Sequence, residues 1–434
     1  MDGQNITLAS ALGDAKERYS QANPVSRAMH EKALKPLPGG NTRTTLHYDP
    51  FPLVIERGEG ARVWDADGHG YADFIGEYTA GLYGHSHPTI RAALDKALDS
   101  GMVLCAPNAQ EAELGQLICD RFPSVDQVRF TNSGTEANLM IVGAARHSTG
   151  RSKVMVFNGG YHGGVFFFAT GTSPVNAPYP FVLGAYNDVD TTKALIDEHA
   201  DDLAIVMLEP MMGTSGALPA QPEFLSMLRE RTQHHGIVLS FDEVMTSRLA
   251  PGGAQQLYGV TPDMTAFGKY IGGGMTIGAF GGREDLMSLY DPRRPDALPH
   301  AGTFNNNVLT MTAGATGLRE VYTPQVCVEH NARGDNLRDR LNDIAVKSET
   351  SAQVTGLGSM LGFHFARGDI LSPSDAAKTP ADARTLFHIE MLNRGFYMGK
   401  GGLSSLSLPL TDLDFDAFAN TYEQFLTDYA SVLN

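Results

Sequence analysis

Between Ser240 and Gly274 the chain reads SFDEVMTSRLAPGGAQQLYGVTPDMTAFGKYIGGG. Two apolar runs in and just ahead of this stretch each end in charge. Gly236-Ile237-Val238-Leu239-Ser240-Phe241 delivers Asp242 and Glu243, and Asp263-Met264-Thr265-Ala266-Phe267-Gly268 delivers Lys269, with three glycines shortly after. Short apolar runs of this length read as buried strands. Open α/β sheets bind ligands outside the carboxyl ends of such strands. An Asp and a Lys displayed there point to a cofactor that needs one partner of each sign.

Working outward, the chain from about residue 111 to residue 282 alternates strand-like and helix-like segments. VRF precedes a helix over 134–148, and KVMVF, AIVMLE and GIVLSFDE follow as further strands. That alternation predicts an α/β fold: a mostly parallel sheet with helices on both faces. Ahead of it, helix formers run from Leu8 to Lys35 with Pro24 starting a second piece. Residues 52–75 read as short strands with a hairpin turn at Asp67-Gly68. Asp65, Asp67 and His69 lack the third ligand and late glutamate of a calcium loop, so the hairpin reading is preferred. Beyond Pro324 a long polar helix ends near Lys347, followed by mixed strands (GSMLGFHF, SSLSLPL) and a last helix from Leu413. The expectation is a large domain over 76–324 and a smaller α+β domain built from both chain ends, 1–75 and 325–434.

A chain of 434 residues is too long for one ordinary core. Its 42% hydrophobic and 19% charged content are those of a soluble globular protein. A net charge of -16 argues against nucleic acid or an anionic membrane as the main partner, though local arginines can still receive a small anionic substrate. Cys105, Cys119 and Cys327 have no metal-ligand spacing and cannot all pair, which suits a reducing compartment. The opening MDGQNITLAS has no basic region followed by an apolar run, and no run is long enough to span a membrane. A cytoplasmic enzyme is expected. His85-Ser86-His87 and His234-His235 lack partners for a metal site, and Gly356-Leu357-Gly358-Ser359-Met360-Leu361-Gly362 misses the dinucleotide spacing by one residue.

Four further stretches carry chemistry. In Phe130-Thr131-Asn132-Ser133-Gly134-Thr135-Glu136, a short strand feeds a helix capped by Ser133, with Glu136 placed to complete a capping box. Free N–H groups at that helix start, with the Ser133 and Thr135 hydroxyls and close approach at Gly134, would seat an anion; alone, an ordinary capped helix reads equally well. Gly159-Gly160-Tyr161-His162-Gly163-Gly164 would let an aromatic ring lie flat on something planar, although alone a glycine-rich turn is the plainer reading. Glu209 in Leu208-Glu209-Pro210 is a carboxylate at another strand end. His300-Ala301-Gly302-Thr303-Phe304-Asn305-Asn306-Asn307 can offer a hydroxyl and N–H groups to an anion. Lys269 alone would more often be a solvated surface lysine. Together, however, these parts describe a planar, phosphorylated, pyridine-like cofactor: Ser133, Gly134 and Thr135 for the phosphate, Tyr161 on one ring face, Asp242 on the ring nitrogen, and Lys269 forming a Schiff base.

From PFPLVIERGEGARVWDADGHGYADF through SGTEAN, GGYHGG, LEP, FDEVMTSR, FGKYIGGG and AGTFNNN to LSLPLTD, the chain resembles the class III aminotransferases of pyridoxal-phosphate fold type I. EYTAGLYGHSHP, FTNSGTEANLM and FDEVMTSRLAPGG are most similar to the β-amino-acid (β-phenylalanine) aminotransferases. The glutamate-1-semialdehyde aminomutases, related within the family, tend to carry Gly-Phe-Arg after FDEVMT. The resemblance implies pyridoxal 5'-phosphate as cofactor, held by Ser133, Gly134, Thr135, Tyr161, His162, Glu209, Asp242 and Val244, with Val244 under the ring opposite Tyr161. It implies Lys269 as Schiff-base anchor and proton shuttle, and a homodimer with shared active sites in which Thr303 reaches the neighbour's cofactor phosphate. Arg43, in GGNTRTT, matches a carboxylate-binding arginine. The family's second arginine would fall in Tyr397-Met398-Gly399-Lys400-Gly401-Gly402-Leu403, where Lys400 offers a point charge in place of a planar fork. The implied reaction moves an amino group from a β-amino acid or related amine to an oxo-acid. An intramolecular aminomutase is the alternative. A non-catalytic binding module is disfavoured, because binding alone needs no electron sink and proton shuttle together.

Overall fold

The computed structural model describes residues 7–169 and 171–433; the opening MDGQNI, read for a targeting signal, lies outside them. Seven strands build the central sheet: β1 (Gln127–Thr131), β2 (Lys153–Phe157), β3 (Phe181–Gly184), β4 (Leu203–Leu208), β5 (Val238–Asp242), β6 (Met264–Gly268) and β7 (Gly278–Gly282). Their order is β1-β7-β6-β5-β4-β2-β3. β7 runs against both its neighbours, and the remaining pairings are parallel. β4, LAIVML, is buried along its whole length, as a strand covered on both faces must be.

Side-chain alternation explains the two coverings. Val154 and Val156 of β2 join Ala137, Ile141 and Ala145 of helix Gly134–Thr149 in one core. Met155 and Phe157 point the other way, to Phe224, Leu225 and Leu228 of helix Pro222–His235. In-register pairing of Ser240 with Met264 and Asp242 with Ala266 brings both charged ends of the opening stretch to one rim of the sheet.

The two chain ends share a separate core. Leu12, Tyr19, Phe51 and Phe74 from the first part pack with Phe363, Phe387, Phe418 and Tyr422 from the last, and the Phe74 and Phe418 rings stack at 4.4 Å. Strand Phe396–Tyr397 also pairs in parallel with Gly70–Asp73. In the hairpin, the Asp65 carboxylate accepts from the N–H groups of Asp67 and His69 at 3.0 and 2.8 Å and from the Tyr71 hydroxyl at 2.6 Å, so its acceptors serve the turn. The near-dinucleotide glycines belong to a hairpin between strands Ala352–Leu357 and Met360–Phe365.

Arg248, four residues beyond Val244, is fully buried. It donates to Ser359 Oγ at 3.1 Å, Ser405 Oγ at 2.9 Å, His330 Nε2 at 3.1 Å and the Leu406 carbonyl. Burial and the adjacent guanidinium push His330 down to about 3, keeping it a neutral acceptor. The opening stretch is thereby fastened to the carboxyl-terminal part of the chain through hydrogen bonds, and no carboxylate among the described residues pairs with Arg248.

Candidate active site

At the carboxyl rim of β4, β5 and β6 lies a cavity of about 570 Å³. Arg43, Ser133, Gly134, Thr135, Tyr161, His162, Glu209, Asp242, Val244 and Lys269 all line it, though they come from segments up to 226 positions apart (269 − 43). Two of the candidate residues, Thr303 and Lys400, do not line this cavity. Thr303 is exposed and outside this cavity, on a loop tied to its edge where Asn132 Nδ2 donates to Asn305 Oδ1 at 3.0 Å. Lys400 is also outside it; its ammonium meets the Thr44 and His47 carbonyls.

β5 ends at Asp242, which is 5% exposed. Its Oδ2 accepts from Asn138 Nδ2 and His162 Nδ1, each at 2.9 Å, while Oδ1 accepts the Val244 N–H at 3.0 Å. Three donors on one carboxylate fix its plane. Glu243, the next residue, points to the opposite side. It accepts from Ala254 N at 2.6 Å and from Gln255 N and Nε2 at 3.1 and 3.0 Å, bracing the first turn of helix Gly253–Tyr258. The paired charges seen in sequence thus divide into one facing the cavity and one serving structure.

Lys269 follows the end of β6 with φ at +55°, a left-handed backbone that costs a non-glycine residue about 1–2 kcal/mol. That bend places its amine in the cavity. Burial lowers its affinity for a proton below that of an ordinary lysine, offset in part by Asp242 and Glu209. Burial likewise pushes Glu209 up to about 7. Its two oxygens accept from Tyr161 N and Gly213 N, each at 3.0 Å, so it fixes the backbone under the aromatic ring.

The anion seat has one change from its expected form. Ser133 caps the helix by accepting the Glu136 N–H at 3.3 Å, but Glu136 does not close a capping box. Its carboxylate reaches one residue further back, to Asn132 N at 2.9 Å. The Ser133 N–H is therefore not consumed, and the amides of Gly134 and Thr135 stand in the first helical turn, where no intrahelical acceptor exists. Thr135 Oγ1 accepts from Gly164 N at 3.1 Å and retains its own proton to donate.

Space agrees with this use. A Cβ on Gly134 would come within 2.7 Å of Val244 Cγ2, and one on Gly163 within 2.1 Å of Thr135 Oγ1, where φ is also +115°. Tyr161, 37% exposed, presents a ring to the cavity that protein does not cover. These residues could hold a flat, anionic ring compound: a helix start for its anion, apolar surface from Tyr161 and Val244, a carboxylate at one end and an amine at the other.

The class III aminotransferase family matches residues 44–401 of this chain. The chain belongs to the class III aminotransferases. It is 49% identical to the β-phenylalanine transaminase of Variovorax paradoxus over 429 residues, 99% of each chain. The solved structure of a β-phenylalanine aminotransferase from that organism matches 98% of this chain and 99% of its own, with a TM-score of 0.96 and 49% identity. A transaminase solved with pyridoxal phosphate bound, 32% identical, matches with a TM-score of 0.86 over 94% of this chain and 98% of its own. As a class III aminotransferase the protein is a pyridoxal-phosphate enzyme of fold type I, and its donor set and steric cradle fit that cofactor.

Asn138 is a residue that motif reading passed over. It lies within SGTEAN, donates to both Asp242 Oδ2 and the His162 carbonyl, and is fully buried. A polar residue on the apolar face of a strongly apolar helix was the available signal. Glu77 and Tyr78 were also missed as site residues. With Thr79 they sit at φ of 46°, 53° and 81°, and both line the cavity. Glu77 pairs with Arg43, whose guanidinium also lies 5.5 Å over the Tyr78 ring.

Proposed function

We propose that this aminotransferase takes the amino group of a β-amino acid of the β-phenylalanine kind, or of a related arylalkylamine, and passes it to an oxo-acid acceptor. The observation that carries the reading is Arg43: among the described residues lining the cavity it is the one arginine, and it shares that cavity with Lys269. A carboxylate received there would leave the amine-bearing carbon toward Lys269. The β-phenylalanine transaminase relative supports the same substrate class.

The bound cofactor supplies an electron sink for the carbanion formed at the amine-bearing carbon. Ser133, Gly134 and Thr135 hold its phosphate through the helix start. Tyr161 and Val244, which both line the cavity, would take the ring between them. Asp242, oriented by His162 and Asn138, would be the carboxylate that meets the ring nitrogen. Glu209 supports Tyr161 and lines the same wall. Lys269 would be the covalent anchor, and its freed amine would be the group that takes the proton from the amine-bearing carbon of the substrate and delivers it across the nitrogen. Burial suits that role, because a lysine with a lowered proton affinity is neutral for a larger share of the cycle.

The working unit in this reading is a homodimer, with Thr303 directed at the phosphate of the neighbouring subunit. Support comes from Met102, Val103 and Leu104, exposed by 48%, 76% and 48%, and from Phe304, exposed by 59%. Asn108 and Asn306 hydrogen-bond the two loops that carry them, gathering an apolar surface that assembly would cover. Residues 1–75 with 325–434 would act as one unit beside the large domain, 76–324. Three free cysteines support a reducing, cytoplasmic setting, and no helix among the described residues is long and apolar enough to cross a membrane.

The experiment is a panel of β-amino acids and arylalkylamines assayed with pyruvate and with 2-oxoglutarate, using wild type and Arg43→Ala. Losing a charge-assisted contact of about 1.5–3 kcal/mol should raise KM for carboxylate-bearing donors about 10- to 100-fold, and far less for simple amines. Equal losses for both donor types would make Arg43 a structural residue and overturn the substrate assignment.

A further inference from the structure

Lys400 occupies the loop in which the family's second carboxylate-binding arginine was expected, yet its charge is spent elsewhere. Nζ donates to the Thr44 carbonyl at 3.1 Å and the His47 carbonyl at 2.5 Å. Those carbonyls bracket the single 3-10 turn Thr44–Leu46, and Arg43 is the residue that caps it. The lysine therefore grips the base of the segment from which Arg43 projects.

Packing holds this turn poorly. Arg43, Thr44, Thr45 and His47 are exposed. Beneath them lies a small cavity of about 30 Å³, lined by Leu46, Tyr48, His388 and Tyr397 among others. The turn has its own two backbone bonds, Leu46 N to Arg43 O at 2.9 Å and His47 N to Thr44 O at 3.2 Å. The Tyr78 hydroxyl adds a long contact to the Thr45 carbonyl at 3.4 Å. The Arg43 side chain pairs with Glu77, and two charge-assisted bonds from the Lys400 ammonium tie the backbone of the turn itself to the rest of the protein. Among the described residues lining the small cavity, Lys400 is the one lysine or arginine. His388 is 2% exposed with neither ring nitrogen hydrogen-bonded to a described residue, and burial pushes it down to about 3, so it is neutral.

We propose that Lys400 is a positioning residue: it fastens the turn that carries Arg43, and so sets affinity for carboxylate-bearing substrates without touching them. This rests on the reading that Arg43 receives the carboxylate. A consequence is that an acid with two carboxylates finds one arginine within this chain's cavity.

The test is a double-mutant cycle read by binding. Holoenzyme is titrated with 3-phenylpropionate, an unreactive carboxylate, following the visible absorption of the bound cofactor, in wild type, Lys400→Met, Arg43→Ala and the double variant. If Lys400 acts through Arg43, Lys400→Met weakens Kd about 10-fold in wild type but by no more than about 2-fold beside Arg43→Ala, the non-additivity of a coupled pair. Turnover of 1-phenylethylamine, which has no carboxylate, should fall much less than turnover of β-phenylalanine. The same loss of binding in both backgrounds would mean that Lys400 meets the carboxylate itself, overturning the proposal. No loss in either background would overturn it too, as would equal losses for amine and amino acid. Arg43→Ala leaving Kd unchanged in otherwise wild-type enzyme would instead refute the reading of Arg43, and this inference with it. Should Lys400→Met not accumulate as folded protein, Lys400→Gln, with a shorter neutral donor, carries the same comparison.

Discussion

Lys269→Ala should lower turnover by about 10,000-fold or more, the scale expected when one group that serves as covalent anchor and general base is removed. The protein should remain folded. Alanine at φ +55° bears the same backbone strain as lysine, and the substitution removes an amine that burial disfavours in its charged form. The cofactor should still bind, since the helix start at Ser133 and the Asp242 carboxylate are untouched. The visible absorption that reports covalent attachment should nevertheless disappear. Normal turnover in this variant would remove Lys269 from the chemistry.

Asp242→Asn should cost about 100- to 1,000-fold in turnover, comparable with the loss of one electrostatic contact made at the reacting system. The change keeps size and removes charge. It also breaks a local match, because Asp242 accepts from Asn138, His162 and the Val244 N–H together. An amide can satisfy the first two only by turning its NH2 toward the third, a donor facing a donor, at about 1–3 kcal/mol. Cofactor occupancy and thermal stability, measured alongside, separate the two effects. A rate loss at full occupancy is the expected outcome, and a rate restored by saturating cofactor would mean that Asp242 serves binding alone.

Much of this was legible because strands covered on both faces must be apolar. Asp242 and Lys269 stand out where apolar runs stop, and the run boundaries anticipated β5 and β6 closely. Glycines were legible for a different reason: at Gly163 the approach of Thr135 leaves no room for a side chain. What was hidden depends on direction in space. Asp242 and Glu243 look alike in sequence, and only the pleat decides that one faces the cavity while the other braces Gln255. Glu136 satisfies the spacing of a capping box but bonds Asn132, since a side chain long enough to reach Ser133 can also reach past it. Asn138, Glu77 and Tyr78 belong to no strand end or anion loop, so their part in the site emerged with the tertiary packing. Lys400 was read by its position in the loop, whereas its bonds are set by a turn more than 350 residues earlier.

The central claim is transfer of an amino group from substrate to enzyme and on to a separate acceptor. Its most direct test is a single-turnover reaction of holoenzyme with β-phenylalanine and no oxo-acid. The account predicts one equivalent of the corresponding oxo-acid per active site, with the amino group retained by the enzyme until pyruvate or 2-oxoglutarate is added. Release of an isomerised amino acid, with neither acceptor able to restore the starting enzyme, would contradict it.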